Sequence, residues 1–267
     1  MTPLFGVLVG WVAGLLVTLA WIAFGLGVLA LARRVTHVDR LMDHNDISGF
    51  VYTVVGAIYA VLLAFVVVGV WQRYDADRRT VETEAARTLV LYRAVGLIEG
   101  AADLQPAIRR YAERVVTDEW PAMAQGMDAI SAAQALRDVA LAAEAIPSIG
   151  AGTGWNTFVI DDLRQLQGSR TARLAIGLGS RDSAGGSALP GVLWVAIFLG
   201  GIVTVGYSAL YGSRDRVLHH LITVVLATVV GLSVGVVVVL DAPYRGDAQI
   251  NPEPFLRVIQ LMDEPAS

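Results

Sequence analysis

The sequence predicts an all-α membrane protein, with four transmembrane helices and a helical extramembrane insert between spans two and three. Three observations carry that expectation. Of 267 residues, 55% are hydrophobic and only 16% charged, against roughly 25% charged in a soluble domain. A mean hydropathy of +0.58 means more apolar surface than one water-soluble core can hide, so the bilayer is its natural solvent. Finally, the apolar residues gather into four long runs, interrupted by one polar stretch whose own apolar positions recur at helical spacing.

The first run, Leu4 to Ala32, has no charged side chain. It lacks a basic n-region and is too long for a secretory signal, so a retained anchor is expected. The second run spans Gly49 to Trp71 and is closed by Arg73. The third spans Ser183 to Ser213, with Pro190 suited to a first helical turn. The fourth runs from Leu221 to Leu240 and stops at Asp241. Each is long enough for the ~20 residues that cross about 30 Å of hydrocarbon. Trp71, Tyr74 and Tyr211 stand at span edges, where amphipathic rings favour the headgroup level; Trp11 and Trp21 lie inside span one and are expected to pack on neighbouring helices.

Between spans two and three, Gln72 to Asp182 is rich in Glu, Asp and Arg. Val81, Ala85, Leu89 and Tyr92 form one helical stripe, and Ile108, Tyr111, Ala112 and Val115 another. No proline occurs from Leu4 until Pro106, so span two is expected to continue as one helix to near Gly96. Pro121 and Pro147 punctuate shorter helices, and the glycine-rich loop from Gly150 to Gly154 precedes a last one holding Phe158, Leu163, Leu166 and Leu174. The chain thus divides into 1–72 (spans one and two), 73–182 (insert), 183–241 (spans three and four) and 242–267 (a short ordered tail). Small residues recur at near four-residue spacing in every span, for example Thr53, Ala57, Ala60 and Ala64 in the second, and favour a tight bundle.

Composition also excludes chemistry. There is no cysteine and no lysine, hence no disulfide, thiolate metal site, thiol nucleophile or Schiff base. The net charge of −4 gives no reason to expect a nucleic-acid partner. No ionisable residue lies inside a span, which argues against a proton-coupled transporter but not against a pore with an apolar constriction. His37, His44, His219 and His220 share the short-loop face with Asp39, Asp43 and Asp46, yet their spacing matches no metal-ligand motif. They are expected at helix ends, with no metal. Glu84 and Arg87 are expected to pair along one helix face, and Arg170 and Arg173 to lie on a helix surface, near Asp161 and Asp162 or an anion path. The glycines at 177 and 179 follow no strand and make no phosphate loop. No enzyme and no cofactor are expected.

The stretch from His44 to Arg93, beginning HNDISGF, resembles the second span and following helix of bacterial bestrophin-like membrane proteins. DEWPAM (Asp118 to Met123), RTARL (Arg170 to Leu174), LPGVLW (Leu189 to Trp194) and LDAPYRGDAQINPEPF (Leu240 to Phe255) are similar to that family too. The first and last are the specific matches, because they mix polar and apolar positions in a fixed order. The resemblance implies a ring-shaped homo-oligomer, a pentamer by analogy, in a bacterial inner membrane. Small ions would pass along the second span, anions by analogy. The channel family's phenylalanine-rich constriction has no clear counterpart in span two, which offers Tyr52, Tyr59 and Phe65 as pore-lining candidates. Pro243, Tyr244 and Gly246 resemble its turn after the fourth span, with Tyr244 expected to plug into the helical layer. The family's acidic calcium cluster is not matched: Gly246 is followed by Asp247, Ala248, Gln249, Ile250 and Asn251. Calcium gating is not implied.

Asn45, Asp46 and Ser48 have two readings. Asp46 or Ser48 suits a helix cap at the start of span two, where a carboxylate favours the positive end of the dipole. If span two lines a pore, Asn45 and Asp46 instead repeat around its mouth, and a ring of Asp46 would favour cations. The alternative to a channel is a non-conducting membrane scaffold whose insert binds a partner protein. Orientation is contested by arginines on both faces: Arg33, Arg34, Arg40, Arg214 and Arg216 against Arg73, Arg78, Arg79, Arg173, Arg181 and Arg245. The resemblance tips the expectation to a cytoplasmic insert.

Overall fold

A computed structural model describes residues 3–36, 41–98, 100–101, 103–145, 154–178, 189–241, 243–244 and 249–264, with the side chains of 3–11 and 155–156 left aside. The described residues form helices and turns, without a strand. Helix α1 spans Pro3–Val35 and α2 spans Asn45–Val95, unbroken for 51 residues. Then follow α3 (Leu104–Arg114), a π-helical turn (Val115–Glu119), α4 (Trp120–Ala124), α5 (Ile130–Glu144) and α6 (Gly154–Gly177). Helix α7 covers Gly191–Tyr207 and ends in a 3-10 turn, Ser208–Leu210; α8 is Arg216–Leu240 and α9 Glu253–Asp263. Four helical segments are long and apolar enough to cross a membrane, within α1, α2, α7 with its 3-10 turn, and α8. The all-α membrane fold expected from the runs is the fold found.

The chain separates into two compact units. The membrane unit takes residues 1–74 and 187–242; the insert unit takes 75–186, 243–245 and 249–267.

In the membrane unit α1 and α8 approach at backbone contact. A Cβ on Gly231 would lie 2.7 Å from the Thr18 Cα, and one on Gly235 would lie 3.3 Å from the Gly14 backbone. Small side chains there let the helices gain dispersion energy without a hydrophobic drive. Trp21, Tyr59, Val66, Ile197, Val205 and Val234 fill the centre. Trp21 is 6% exposed, set edge-on to Phe24 and stacked on Phe198. In the small stripe of span two Thr53, Ala57, Ala60 and Ala64 are exposed, the first three lining an open groove with Thr204, Leu226, Val229 and Val230. Pro190 precedes α7 rather than sitting in its first turn, and its carbonyl accepts from Leu193 N at 2.9 Å. Span four starts earlier than the apolar run suggests, because the Asp215 carboxylate caps α8 by accepting from Val217 N and Leu218 N.

In the insert unit, the stripes bury Val81, Ala85, Ile108, Tyr111, Ala112 and Val115. The first stripe then continues through Thr88, Leu91 and Val95, leaving Leu89 and Tyr92 half-buried. The π turn stands just before Pro121. A proline there has no N–H to donate and crowds the preceding turn, and the wider i→i+5 pattern, closed by Trp120 N on the Val115 carbonyl, absorbs it. Gly126 takes φ of 72° to end α4, a conformation that costs glycine little. The ordered tail contains a helix: α9 is amphipathic, burying Phe255, Val258 and Met262. The Arg109–Asp263 ion pair, with its Nη2–Oδ2 contact at 3.1 Å, and the Tyr92 hydroxyl, donating to the Met262 carbonyl at 3.2 Å, hold α9 in place.

Candidate functional site: the short-loop end of the membrane unit and the polar core of the insert

At the short-loop end, Asn45 is a clamp. Its Nδ2 donates to the Gly212 carbonyl at 2.8 Å and its Oδ1 accepts from Gly212 N at 2.9 Å. Both polar atoms are thereby used within the chain, and Asn45 ties the start of span two to the residues just after span three. Only glycine fits opposite, because a Cβ on Gly212 would run into the Met42 backbone. The helix begins at Asn45, and Ser48 N already donates to the His44 carbonyl at 2.9 Å. Asp46 and Ser48 are therefore inside the first turn and are not the cap that the apolar run placed there. Asp46 is exposed and keeps the favourable dipole position.

Beside this clamp, His219 is 5% exposed. Its Nε2 lies 3.0 Å from the Ser208 carbonyl and its Nδ1 lies 3.1 Å from Arg33 Nη2. A carbonyl only accepts and a guanidinium only donates. These neighbours thus select the neutral tautomer with hydrogen on Nε2, which joins α1, α8 and the end of span three. His37, Asp39 and Arg40 lie outside the described residues, and among those described no group of three His, Asp or Glu could hold a metal.

The pore-lining candidates part company. Tyr59 is 6% exposed inside the bundle, its hydroxyl donating to the Ile197 carbonyl at 3.1 Å. Tyr52 stacks on Tyr207, centroids 5.7 Å apart, and meets Tyr211 edge-on. Phe65 is 75% exposed on the outer face. The three do not share one face in the chain.

The insert unit holds the densest polar chemistry. Arg173, Glu84 and Glu119 are each fully buried. Arg173 Nε donates to Glu84 Oε2 at 2.7 Å, and its Nη2 donates to Glu84 Oε1 at 3.0 Å and to Glu119 Oε2 at 2.6 Å. Tyr111 donates to Glu84 Oε1 at 2.6 Å, and Arg170 pairs with the other oxygen of Glu119. The guanidinium lies 5.1 Å from the Trp120 ring centroid, and its Nη1 reaches the Met123 sulfur at 2.9 Å. Burial opposes the charge on Arg173, but Glu84 and Glu119 more than offset it and hold its pKa above the ordinary range. Burial first, and then Glu84, push the Tyr111 hydroxyl well up. Two carboxylates face two guanidiniums, so the cluster is charge-balanced and its oxygens are occupied. It can fasten helices together; it presents no free base or nucleophile.

This overturns two expectations. Arg173 is neither at a helix surface nor paired with Asp161 or Asp162. Glu84 does not pair with Arg87, which turns instead to Asp162 at 3.7 Å and to Gln165. The missed signal is periodic: Glu84 falls on the same face as Val81, Ala85 and Thr88, a carboxylate in the middle of a buried stripe. Nothing local pointed to Glu119, because the π turn shifts its face.

Of the turn after span four, Gly246 lies outside the described residues. Tyr244 is 4% exposed, edge-on to Trp120 with centroids 5.9 Å apart, and burial raises its pKa. Its hydroxyl has no partner among the described residues. The Pro243 carbonyl accepts from Ile250 N at 2.7 Å, and the Trp120 indole donates to the Ile250 carbonyl at 3.0 Å. DEWPAM, RTARL and the residues after span four, three of the quoted stretches, thus meet around Trp120.

The bestrophin-like domain model matches residues 19–255. The chain belongs to the bestrophin-like family, and it is a membrane protein of that family with four apolar helices of spanning length. No curated protein and no solved structure matches it.

Proposed function

We propose that this chain is one subunit of a homo-oligomeric channel for small ions in a bacterial inner membrane, and that it is not an enzyme. The observation that carries the reading is family membership over nearly the whole chain. The family analogy favours anions, a pentameric ring and an insert on the cytoplasmic side. The second span supports an assembly as well. Within the chain it leaves Thr53, Ala57, Ala60 and Ala64 uncovered, a face narrow enough for close helix contact or for a pore wall. Asp46 lies exposed at its start.

Flux through liposomes holding the purified protein tests the proposal. Anion-dependent current is the expected result; a monomer, or a sealed ring without current, refutes it. Asp46→Asn shifts the anion-to-cation ratio if Asp46 rings the mouth, and leaves it unchanged if the residue serves only the helix dipole. A cysteine placed at Ala133 and labelled by an impermeant reagent on intact cells contradicts the orientation; protection supports it.

A further inference from the structure

Helix α1 is held to α8 by two different means. Over most of its length backbones and small side chains touch. Besides Gly14–Gly235 and Thr18–Gly231, a Cβ on Gly25 would stand 3.1 Å from the Thr223 Cγ2 and 3.5 Å from the Ala227 Cβ. Leu29, fully buried, is the last apolar anchor; Leu31 and Val35 beyond it are exposed. One turn after Leu29, on the same face, the contact becomes polar and Arg33 meets His219.

Arg33 is half-buried, and among the described residues no carboxylate pairs with it. Its Nε is buried without an acceptor, so the lone pair of His219 Nδ1, 3.1 Å from Nη2, is the one acceptor its side chain has there. The ring of His219 likewise has no carboxylate bonded to it among those residues. Arg33 faces it from α1, and the Ser208 carbonyl faces it from the turn after α7. On its own helix, His220 turns back to the Arg216 carbonyl, and the Asp215 carboxylate is engaged by Val217 N and Leu218 N. Around the start of span two, Asn45 is engaged by Gly212, while Asp43, His44 and Asp46 are exposed, as are Arg34, Arg214 and Arg216.

A proton on His219 changes one of its two bonds and spares the other. On Nδ1 it turns the acceptor into a donor, so Arg33 loses its acceptor and two cations stand 3.1 Å apart. Nε2 already donates to Ser208 and goes on doing so. Burial and the missing counter-ion leave the repulsion poorly screened. Arg33 has a way out, because a long side chain near a helix end can carry its charge to the headgroup level. We propose that His219 and Arg33 form a proton-operated latch. When water supplies a proton to His219 Nδ1, Arg33 lets go and the last turn of α1 parts from the start of α8, while α8 stays fastened to the turn after α7. The latch stands whether or not the protein conducts.

The chain has no cysteine, so a pair of spin labels can be placed without competing sites. Val35 and Val217 are exposed at the two ends that the latch joins, and Leu210 is exposed on the turn that stays fastened. The full chain in nanodiscs, labelled at Val35→Cys and Val217→Cys, is compared by dipolar electron paramagnetic resonance at about pH 8 and about pH 5, the limits between which histidine ordinarily changes charge. The distance distribution is expected to lengthen and broaden in acid, whereas a Leu210→Cys and Val217→Cys pair keeps its distribution. His219→Gln still accepts from Arg33 and donates to Ser208 but takes up no proton, and is expected to hold the shorter distance at both pH values. Arg33→Met removes the opposing cation and is expected to abolish the acid step. An unchanged wild-type distance, a step that persists in either variant, or an equal change in the Leu210 pair overturns the proposal.

Discussion

Replacing Arg173 by alanine removes the centre of the buried cluster. Three charge-assisted hydrogen bonds disappear at once, two to Glu84 and one to Glu119. Glu84 keeps only the Tyr111 hydroxyl and Glu119 only Arg170. The cost is dominated by the charge left behind rather than by the bonds lost, because Glu84 in a dry interior then has neither water nor counter-ion. Breaking a buried pair in this way costs about 3–5 kcal/mol. At about 2–4 °C per kcal/mol for a chain of this size, Tm falls by roughly 6–20 °C. Thermal unfolding followed by tryptophan fluorescence is the assay, since the guanidinium lies over the Trp120 ring and its loss changes the emission of the folded state as well. The double change Arg173→Met and Glu84→Gln removes the uncompensated charge while leaving Glu119 paired with Arg170, and is expected to regain most of the loss. A single variant within about 1 kcal/mol of wild type, or a double variant no better than the single one, refutes the argument.

Three other outcomes follow from the same structure. His219→Gln can still donate to Ser208 and accept from Arg33, whereas His219→Leu leaves both without a partner; the leucine variant is expected to lose about 1–3 kcal/mol more in urea unfolding. Asn45→Asp replaces the donor facing the Gly212 carbonyl with a second acceptor, and Gly212→Ala pushes a methyl into the Met42 backbone. Each is expected to lower stability by roughly 1–3 kcal/mol, with the double variant falling short of the sum, as a thermal double-mutant cycle would show. Hydrogen bonds from Ser131 first, then Thr117 and Arg114, push Asp118 down to about 2. Its folded value lies below its ordinary 3.8, so its stabilisation is present above that value and fades as pH falls towards 2. Ser131→Ala is expected to flatten the loss of Tm across that window, and an unchanged slope tells against the assignment.

Much of the fold was legible because it rests on length and period. The four apolar runs and the proline-free stretch after span two are one-dimensional signals, and α2 ends at Val95 where Gly96 was expected to stop it. What escaped depends on meetings in three dimensions. Arg173 reads as a surface residue because its own helix is mostly polar; only the arrival of Glu84, from a helix 89 positions earlier, makes it a core residue. Asn45 reads as a mouth or cap residue because its partner is a backbone unit of Gly212, which leaves no trace in side-chain pattern. The π turn hid Glu119 by adding a residue to the helical count, and α9 hid behind a tail too short to suggest a helix of its own.

The backbone contact of α1 with α8 has a mechanical consequence. Side chains can change rotamer to let two helices slide, but at Gly14–Gly235 and Thr18–Gly231 there is almost no side chain left to yield. That pair is expected to move as one strut. Any opening or closing within the membrane unit then falls to span two, whose Thr53, Ala57, Ala60 and Ala64 are exposed, and to the polar joints at Asn45 and His219 that connect the strut to its neighbours.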